Sequence, residues 1–168
     1  MIYLSSWRFL FYDVSLYSEL LTKNNAQPNA FNATKDWLDY FSGKKELSSI
    51  QDFTELEKQH MTDVKNLVNG LETFMFILLL IFLMLLIRAE NKFKAFFYGG
   101  IITAVFPLLL YFIPFEAVFD LFHKLFFTGN WQFPADSLLI QTFPVGFFYD
   151  FAFKIFSLGF IGGVICLI

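Results

Sequence analysis

Three apolar stretches, each about as long as a bilayer is thick, constrain this chain more than any other feature. They cover about residues 71–87, 93–115 and 143–168. A helix crosses roughly 30 Å of hydrocarbon with about 20 apolar residues. The chain is 57% hydrophobic and contains 26 Phe, which is too apolar for a soluble domain of this size. The sequence therefore predicts an all-α fold, a multi-pass membrane helical bundle.

The charges between the first two stretches predict how the bundle lies in the membrane. This short connection carries Arg88, Lys92 and Lys94 against one acid, Glu90. Short loops rich in Lys and Arg stay on the cytoplasmic side. Residues 1–70 and about 115–143 are then expected on the outer, extracytoplasmic face of the cell membrane.

The N-terminal segment fits this scheme only in part. Residues 1–70 need translocation, and no signal peptide precedes them. The opening stretch is apolar and aromatic but includes Arg8, Asp13 and Glu19, which favours an interfacial helix over a spanning one. We expect a missing or truncated first span. Residues 1–70 would then hold a partial span and extracytoplasmic helices, and residues 71–168 the transmembrane domain.

His60 lies on a predicted amphipathic helix that leads into the first span. Asp52 and Glu55 have the spacing of a helix start with a capping carboxylate, and we expect the helix to end at Asn69, with Gly70 as a joint. An apolar stripe at three- and four-residue steps contains His60 with Phe53, Leu56, Val64, Leu67 and Leu71. The pattern is compatible with a functional imidazole and with a core histidine bonded to a neighbour.

His123, the other of only two histidines, lies on a second amphipathic helix within the predicted outer helix and loop, residues 115–143. It shares a polar side with Glu116, Asp120 and Lys124. Asp120 is three residues away, so a carboxylate–imidazole contact is open, and it would raise the pKa of His123 and fix its tautomer. The alternative is an interfacial helix whose polar edge faces water.

Polar residues in the last part of the chain give weaker signals. Residues 128–144, with Trp131 and Asp136, predict a structured outer loop that anchors at the interface or covers a site. Asp150 and Lys154 stand four residues apart in the third stretch. A charge inside a span suggests a function, but these two would also suit a structural ion pair.

Several functional classes leave no signature here. The net charge of −3 gives no sign of nucleic-acid binding, and Cys166 is the single cysteine, at the end of an apolar run. The chain has no clustered metal ligands, Gly-rich phosphate loop or Gly-x-Ser-x-Gly elbow. We expect neither a metal nor a cofactor. A non-catalytic membrane protein, such as a scaffold or a subunit binding haem between two histidines, stays open.

Two strings around the histidines resemble the Lit family of lipoprotein intramolecular transacylases of Gram-positive bacteria. The first is Glu57-x-x-His60-Met61-x-Asp63-Val64-Lys65-x-Leu67, and the second is Phe122-His123-x-Leu125-Phe126-Phe127-x-Gly129-Asn130-Trp131-x-Phe133. A third string, Asp136-Ser137-Leu138-Leu139-Ile140 with Phe143-Pro144 and Phe147-Phe148-x-Asp150, is similar too. The resemblance covers most of residues 12–156.

The resemblance implies a four-helix membrane enzyme that acts at the outer face on a diacylated lipoprotein among membrane lipids. It moves an acyl chain from the diacylglyceryl group of the N-terminal cysteine to the α-amine of that cysteine, giving the lyso-form. The family's two functional histidines correspond to His60 and His123. Asp63, Lys65, Trp131, Asp136 and Asp150 carry over as motif positions, with Asp120 as a possible support.

Transfer within one substrate asks for proton movement rather than an enzyme nucleophile. We expect His123 to shuttle the proton and His60 to stay neutral and stabilise the oxyanion, although the roles are interchangeable at this stage.

Overall fold

The structure is a computed structural model that describes residues 1–129 and 131–168, and these form helices joined by short connections. The helices are α1 (Ile2–Phe11), α2 (Val14–Lys23), α3 (Ala30–Phe41), α4 (Glu55–Arg88), α5 (Lys92–Leu110), α6 (Phe115–Phe126), α7 (Leu138–Thr142) and α8 (Val145–Ile165), with a 3-10 turn at Leu47–Ser49. No strand occurs in the part of the chain that the structure describes. The predicted all-α fold is confirmed.

Three helices, α4, α5 and α8, are long and apolar enough to cross a membrane. They coincide with the three predicted stretches, so the multi-pass architecture is confirmed. The second span is shorter than expected, since α5 ends at Leu110 and α6 begins at Phe115. Pro114 separates them, because the residue before a proline is disfavoured in a helix.

The helix that carries His60 differs from the prediction at both ends. Its N-cap is Thr54, not Asp52, and the Thr54 hydroxyl accepts from the Glu57 amide while the Glu57 carboxylate accepts from the Thr54 amide. This reciprocal capping box satisfies two amide donors. The helix also continues through Gly70 and has 34 residues in all. A single glycine costs only about 1 kcal/mol, which the flanking helical turns outweigh.

The N-terminal segment folds as two helices that Asp13 separates. Its carboxylate caps α2 by accepting from the amides of Ser15 and Leu16. Helix α1 packs along α8 rather than lying apart from the bundle, and the Tyr3 hydroxyl donates to the Thr103 carbonyl of α5 at 2.5 Å. Although it has only 10 residues, α1 therefore packs against the spanning helices α5 and α8.

Small residues bring α5 and α8 together. A Cβ atom added to Gly163 would lie 2.8 Å from the Ala104 amide nitrogen and 3.0 Å from the Gly100 carbonyl oxygen. Only glycine allows this approach of the two backbones, as is common between membrane helices. Helices α1 and α2 pack against α8 of this pair.

Asp150 and Lys154 do not pair with each other, so that prediction is wrong. The Asp150 carboxylate accepts from Lys23 Nζ at 2.6 Å and from Asn24 Nδ2 at 2.8 Å, and Lys154 pairs with Glu19 at 3.1 Å. Helix α2 runs beside α8 with opposite charges at matching heights. These pairs therefore join α2 to α8, where the sequence pattern offered only a neighbour on the same helix.

Most of the hydrophobic core lies outside the spanning stretches, in a region that we call the cap, although Phe147 of α8 and the end of α1 also belong to it. The cap comprises α2, α3, α7 and residues 55–69 of α4. Trp37 lies at the centre of the cap and has no exposed surface. The centroid of its ring is 5.0 Å from that of Phe53 and 6.4 Å from that of Phe41. This core holds the first turns of α4, and with them His60, in a fixed place.

Candidate active site at the cap–membrane boundary

The two histidines, 63 positions apart in the sequence, meet in the structure. Their ring centroids are 6.2 Å apart, and the ring planes are nearly parallel at 18°. His60 is 7% exposed and His123 is 8% exposed. The two imidazoles therefore lie side by side in one place, between α4 and α6.

Helix α6 turns His123 inward and its large apolar side chains outward. Leu121, Phe122, Leu125 and Phe126 are exposed, whereas His123 is buried. A helix that lies at the surface of a lipid bilayer buries its apolar face in the lipid. On the predicted polar side of α6, Glu116, Asp120 and Lys124 are exposed, and only His123 is buried, next to His60.

The tautomer of His123 is fixed by a backbone carbonyl. Its Nδ1–H donates to the Phe119 carbonyl oxygen at 2.7 Å, and the neutral ring then carries its lone pair on Nε2. The expected contact with Asp120 is absent, because the carbonyl one turn earlier takes the Nδ1 proton and Asp120 is exposed. Burial lowers the pKa of His123, and the Phe119 bond and the Asp120 charge oppose this only in part.

His60 lies on the polar turns of α4, about three turns before the apolar stretch begins at residue 71. Its Nδ1 atom is buried and has no hydrogen-bond partner among the described residues. Burial, followed by the proximity of His123, lowers the pKa of His60 to about 4, with Asp63 acting in the opposite direction. At neutral pH the ring is therefore uncharged and has an unused polar atom inside the site.

Aromatic rings enclose the pair. Phe127 packs against His60 at 4.8 Å and against His123 at 5.3 Å. Phe119 lies 4.1 Å from the His123 ring, Trp131 lies 5.0 Å from it, and Phe133 lies 5.4 Å from the His60 ring. The segment after α6 thus covers the site, as the loop prediction suggested. Such a wall excludes water and favours neutral imidazoles.

Comparison with known proteins agrees with this arrangement. The model of the family described as "Lipoprotein intramolecular transacylase Lit" matches residues 1–148. The chain belongs to the Lit family. Its enzymes are acyltransferases of lipoproteins, so the resemblance seen in the two histidine strings is confirmed. No curated protein sequence matches the chain.

Solved structures of Lit share the fold. The chain is similar to the membrane-integral lipoprotein intramolecular transacylase Lit from Bacillus cereus, with 25% identity, a TM-score of 0.76, and coverage of 98% of this chain and 85% of that one. Two variants of that protein, with one histidine replaced by arginine or by alanine, match at 23% identity and TM-scores of 0.74. The match covers 81% of the chain of the arginine variant and 83% of the chain of the alanine variant.

The other residues predicted for the Lit site have different places. Asp63 is half-buried near His60, and Trp131 contacts His123. Lys65 instead joins α4 to α3, since its Nζ donates to the Tyr40 carbonyl at 2.7 Å and lies 3.9 Å above the Tyr40 ring. Asp136 is exposed.

Asp150 belongs to the α2–α8 contact described above and not to the histidine site. Asn130, a member of the second motif, lies outside the described residues.

Glu57 is the polar residue near the Lit site that sequence reasoning missed. It is 2% exposed, and its carboxylate accepts from the Leu139 amide at 2.8 Å as well as from Thr54. The signal was present, since Thr54 and Glu57 have the Ser/Thr-x-x-Glu spacing of a capping box. Placing the helix start at Asp52 concealed it. The aromatic walls gave no comparable signal among 26 Phe.

Proposed function

We propose that this Lit enzyme transfers an acyl chain within a diacylated lipoprotein at the outer face of the cell membrane. The chain leaves the diacylglyceryl group on the N-terminal cysteine and joins the α-amine of the same cysteine, giving the lyso-form. The observation that carries the proposal is the pair of buried, nearly parallel imidazoles enclosed by aromatic rings. The excess of Lys and Arg between α4 and α5 supports placing the site at the outer face, because short loops rich in Lys and Arg stay on the cytoplasmic side of the membrane.

The geometry suits a reaction that needs no enzyme nucleophile. Ester and amine belong to one substrate, and holding them in a reactive orientation alone supplies a large effective concentration. The single cysteine cannot serve the histidines, since Cys166 ends α8 and lies against Gly100. The histidine site contacts the opposite end of α8, where Phe119 packs against Phe148 at 5.3 Å.

In this proposal His123 moves the proton. The neutral α-amine attacks the ester carbonyl, and an N–C bond forms as the carbonyl oxygen becomes an oxyanion. Nε2 of His123, left with the lone pair by the Phe119 bond, takes the proton from that nitrogen. It then returns the proton to the glyceryl oxygen as the C–O bond breaks. General acid–base catalysis of this kind contributes about 100- to 10,000-fold.

In this proposal His60 stabilises the oxyanion. Its lowered pKa keeps it neutral, and a neutral imidazole donates one hydrogen bond without carrying a charge into an apolar pocket. Its unpartnered Nδ1 is a polar atom that substrate can satisfy. Donors held ready for a developing oxyanion act strongly when water is excluded.

The outward apolar face of α6 supports lipid access to the site. The diacylglyceryl group is anchored in the outer leaflet, and the exposed side chains of α6 lie on the same short helix as the buried His123. A substrate held in the membrane therefore reaches the imidazoles laterally, with its acyl chains in lipid and its cysteine at the cap.

Replacing each histidine by alanine tests the proposal. His60→Ala and His123→Ala should each reduce conversion of a reporter lipoprotein by about 100-fold or more. Mass spectrometry of the N-terminal peptide should locate an acyl group moved onto nitrogen with no change in total mass. Gln59→Ala and Lys124→Ala, exposed neighbours on the same helices, are matched controls and should keep full activity.

Two outcomes would contradict the proposal. If either histidine variant keeps wild-type conversion, that histidine does not act in the reaction. If the product gains mass, the acyl chain comes from another lipid and the transfer is not internal. A Soret band in purified protein without conversion would favour haem binding instead.

A further inference from the structure

We infer that Glu57 is a positioning residue that holds the segment bearing Trp131 and Phe133 over the two histidines. This inference rests on the proposed function, because it explains how the imidazole site is kept closed and aligned for that reaction. Glu57 itself contacts neither ring and does not take part in proton transfer.

The carboxylate of Glu57 is buried without an ion pair among the described residues. Its two oxygens accept three hydrogen bonds instead. Oε2 accepts from the amide and the hydroxyl of Thr54 at 2.8 and 2.7 Å, and Oε1 accepts from the amide of Leu139 at 2.8 Å. A buried carboxylate is costly unless fully hydrogen-bonded, so these contacts constrain the groups around it strongly.

The two oxygens have separable tasks. Oε2 completes the capping box at the start of α4, a local device within four residues. Oε1 bonds across the cap to Leu139 at the start of α7, 82 positions further along the chain. A helix cap alone would need only the first contact, so the second calls for another explanation.

That explanation follows from what precedes α7. The segment with Trp131 and Phe133 enters α7 directly, and these rings pack against His123 and His60, respectively. At the other end of α7, the backbone amide of Gln27 donates to the backbone carbonyl of Gln141 at 3.0 Å. Because Glu57 is one turn before His60 on α4, its bond to Leu139 fixes the segment relative to that imidazole.

Chemical modification of the histidines provides a test that does not depend on turnover. Diethyl pyrocarbonate acylates neutral imidazoles, and this chain has only His60 and His123. Glu57→Gln replaces one acceptor oxygen by a donor, so the segment should open more often. We expect the modification rate of both histidines, measured peptide by peptide by mass spectrometry, to rise about tenfold, with a comparable fall in acyl transfer.

Two further variants separate positioning from other roles. Glu55→Gln removes a charge from the same helix turn, but the Glu55 side chain is 91% exposed. Thr54→Ala removes the capping hydroxyl and keeps the Leu139 contact. Both should stay within about twofold of wild type in modification and in transfer, since each leaves the Glu57–Leu139 hydrogen bond intact.

The inference is overturned if Glu57→Gln behaves like Glu55→Gln, or if Thr54→Ala reproduces the full effect of Glu57→Gln. Should Glu57→Gln not fold, Glu57→Asp retains the charge and withdraws it from Leu139 by about 1.5 Å. It should give the same rise in modification, and an unchanged rate would refute the inference. A wild-type protein that fails to convert the reporter would refute the proposed function instead, since the modification contrast does not need the reaction.

Discussion

The cap and the spanning helices use the same residue types in opposite ways. In the cap, Trp37 is fully buried with its aromatic and aliphatic neighbours, whereas none of the apolar stretch of α4 is buried within the molecule. Water drives the cap residues together, and lipid gives the spanning residues no such drive. Packing in this protein is therefore concentrated where water is, and the spans associate through close backbone contact.

The histidine site lies where these two regimes meet. The cap supplies His60 and its rigid support, and α6 supplies His123. The imidazoles are buried among aromatic rings, while the apolar side of α6 stays exposed. The substrate that we propose, with a polar cysteine and two acyl chains, needs both surroundings at once.

The largest change in the free energy of unfolding is expected from a substitution in the core of the cap. Trp37→Ala leaves a cavity among fully buried neighbours and should lower the free energy of unfolding by about 3–5 kcal/mol. Leu80→Ala, at a position that is 52% exposed on the apolar stretch of α4, should change it by less than about 0.5 kcal/mol. Thermal unfolding in detergent measures both, and equal losses would break the contrast between the two regions.

A medium effect is expected where α5 and α8 touch. Gly163→Ala places a Cβ atom against backbone of α5, which cannot move aside, and should cost about 1–3 kcal/mol. Gly99→Ala is the matched control, because a Cβ atom there meets nothing within 4 Å. The same unfolding measurement compares them. If the two variants are alike, the spanning helices do not depend on this close approach.

The smallest effect is expected from lowering the pH by one unit. His60 has a folded-state pKa of about 4 against an ordinary 6.5. As the pH falls, the unfolded chain therefore binds a proton at a higher pH than the folded protein does. The contribution of His60 is constant above pH 6.5, and stability falls as pH drops from 6.5 toward 4, by at most about 1.4 kcal/mol per pH unit. His60→Gln should make the unfolding temperature less dependent on pH in this window. An unchanged dependence would show that His60 is not buried in neutral form.

Local patterns predicted some parts of the site and could not predict others. The apolar stripe placed His60 on an inward face, and three long apolar runs predicted the spans, because both features depend on periodicity or length alone. The pairing of Asp150 with Lys23 and of Lys154 with Glu19 could not be predicted from spacing, since α2 and α8 are distant in sequence. The Phe119 carbonyl displaced Asp120 as the partner of His123 for a different reason, since both acceptors lie on the same helix within four residues of His123. Several acceptors lie within reach, and the fold selects among them.

The sequence by itself determined that this chain is a helical membrane protein, which stretches span the bilayer, and which two side chains can carry protons, because hydropathy and residue chemistry are properties of the residues. The tertiary structure alone decided that the two imidazoles stack and that Glu57 reaches across the cap to Leu139. Those features depend on distances between segments far apart in the chain, and such distances are fixed only when the cap packs against the membrane helices.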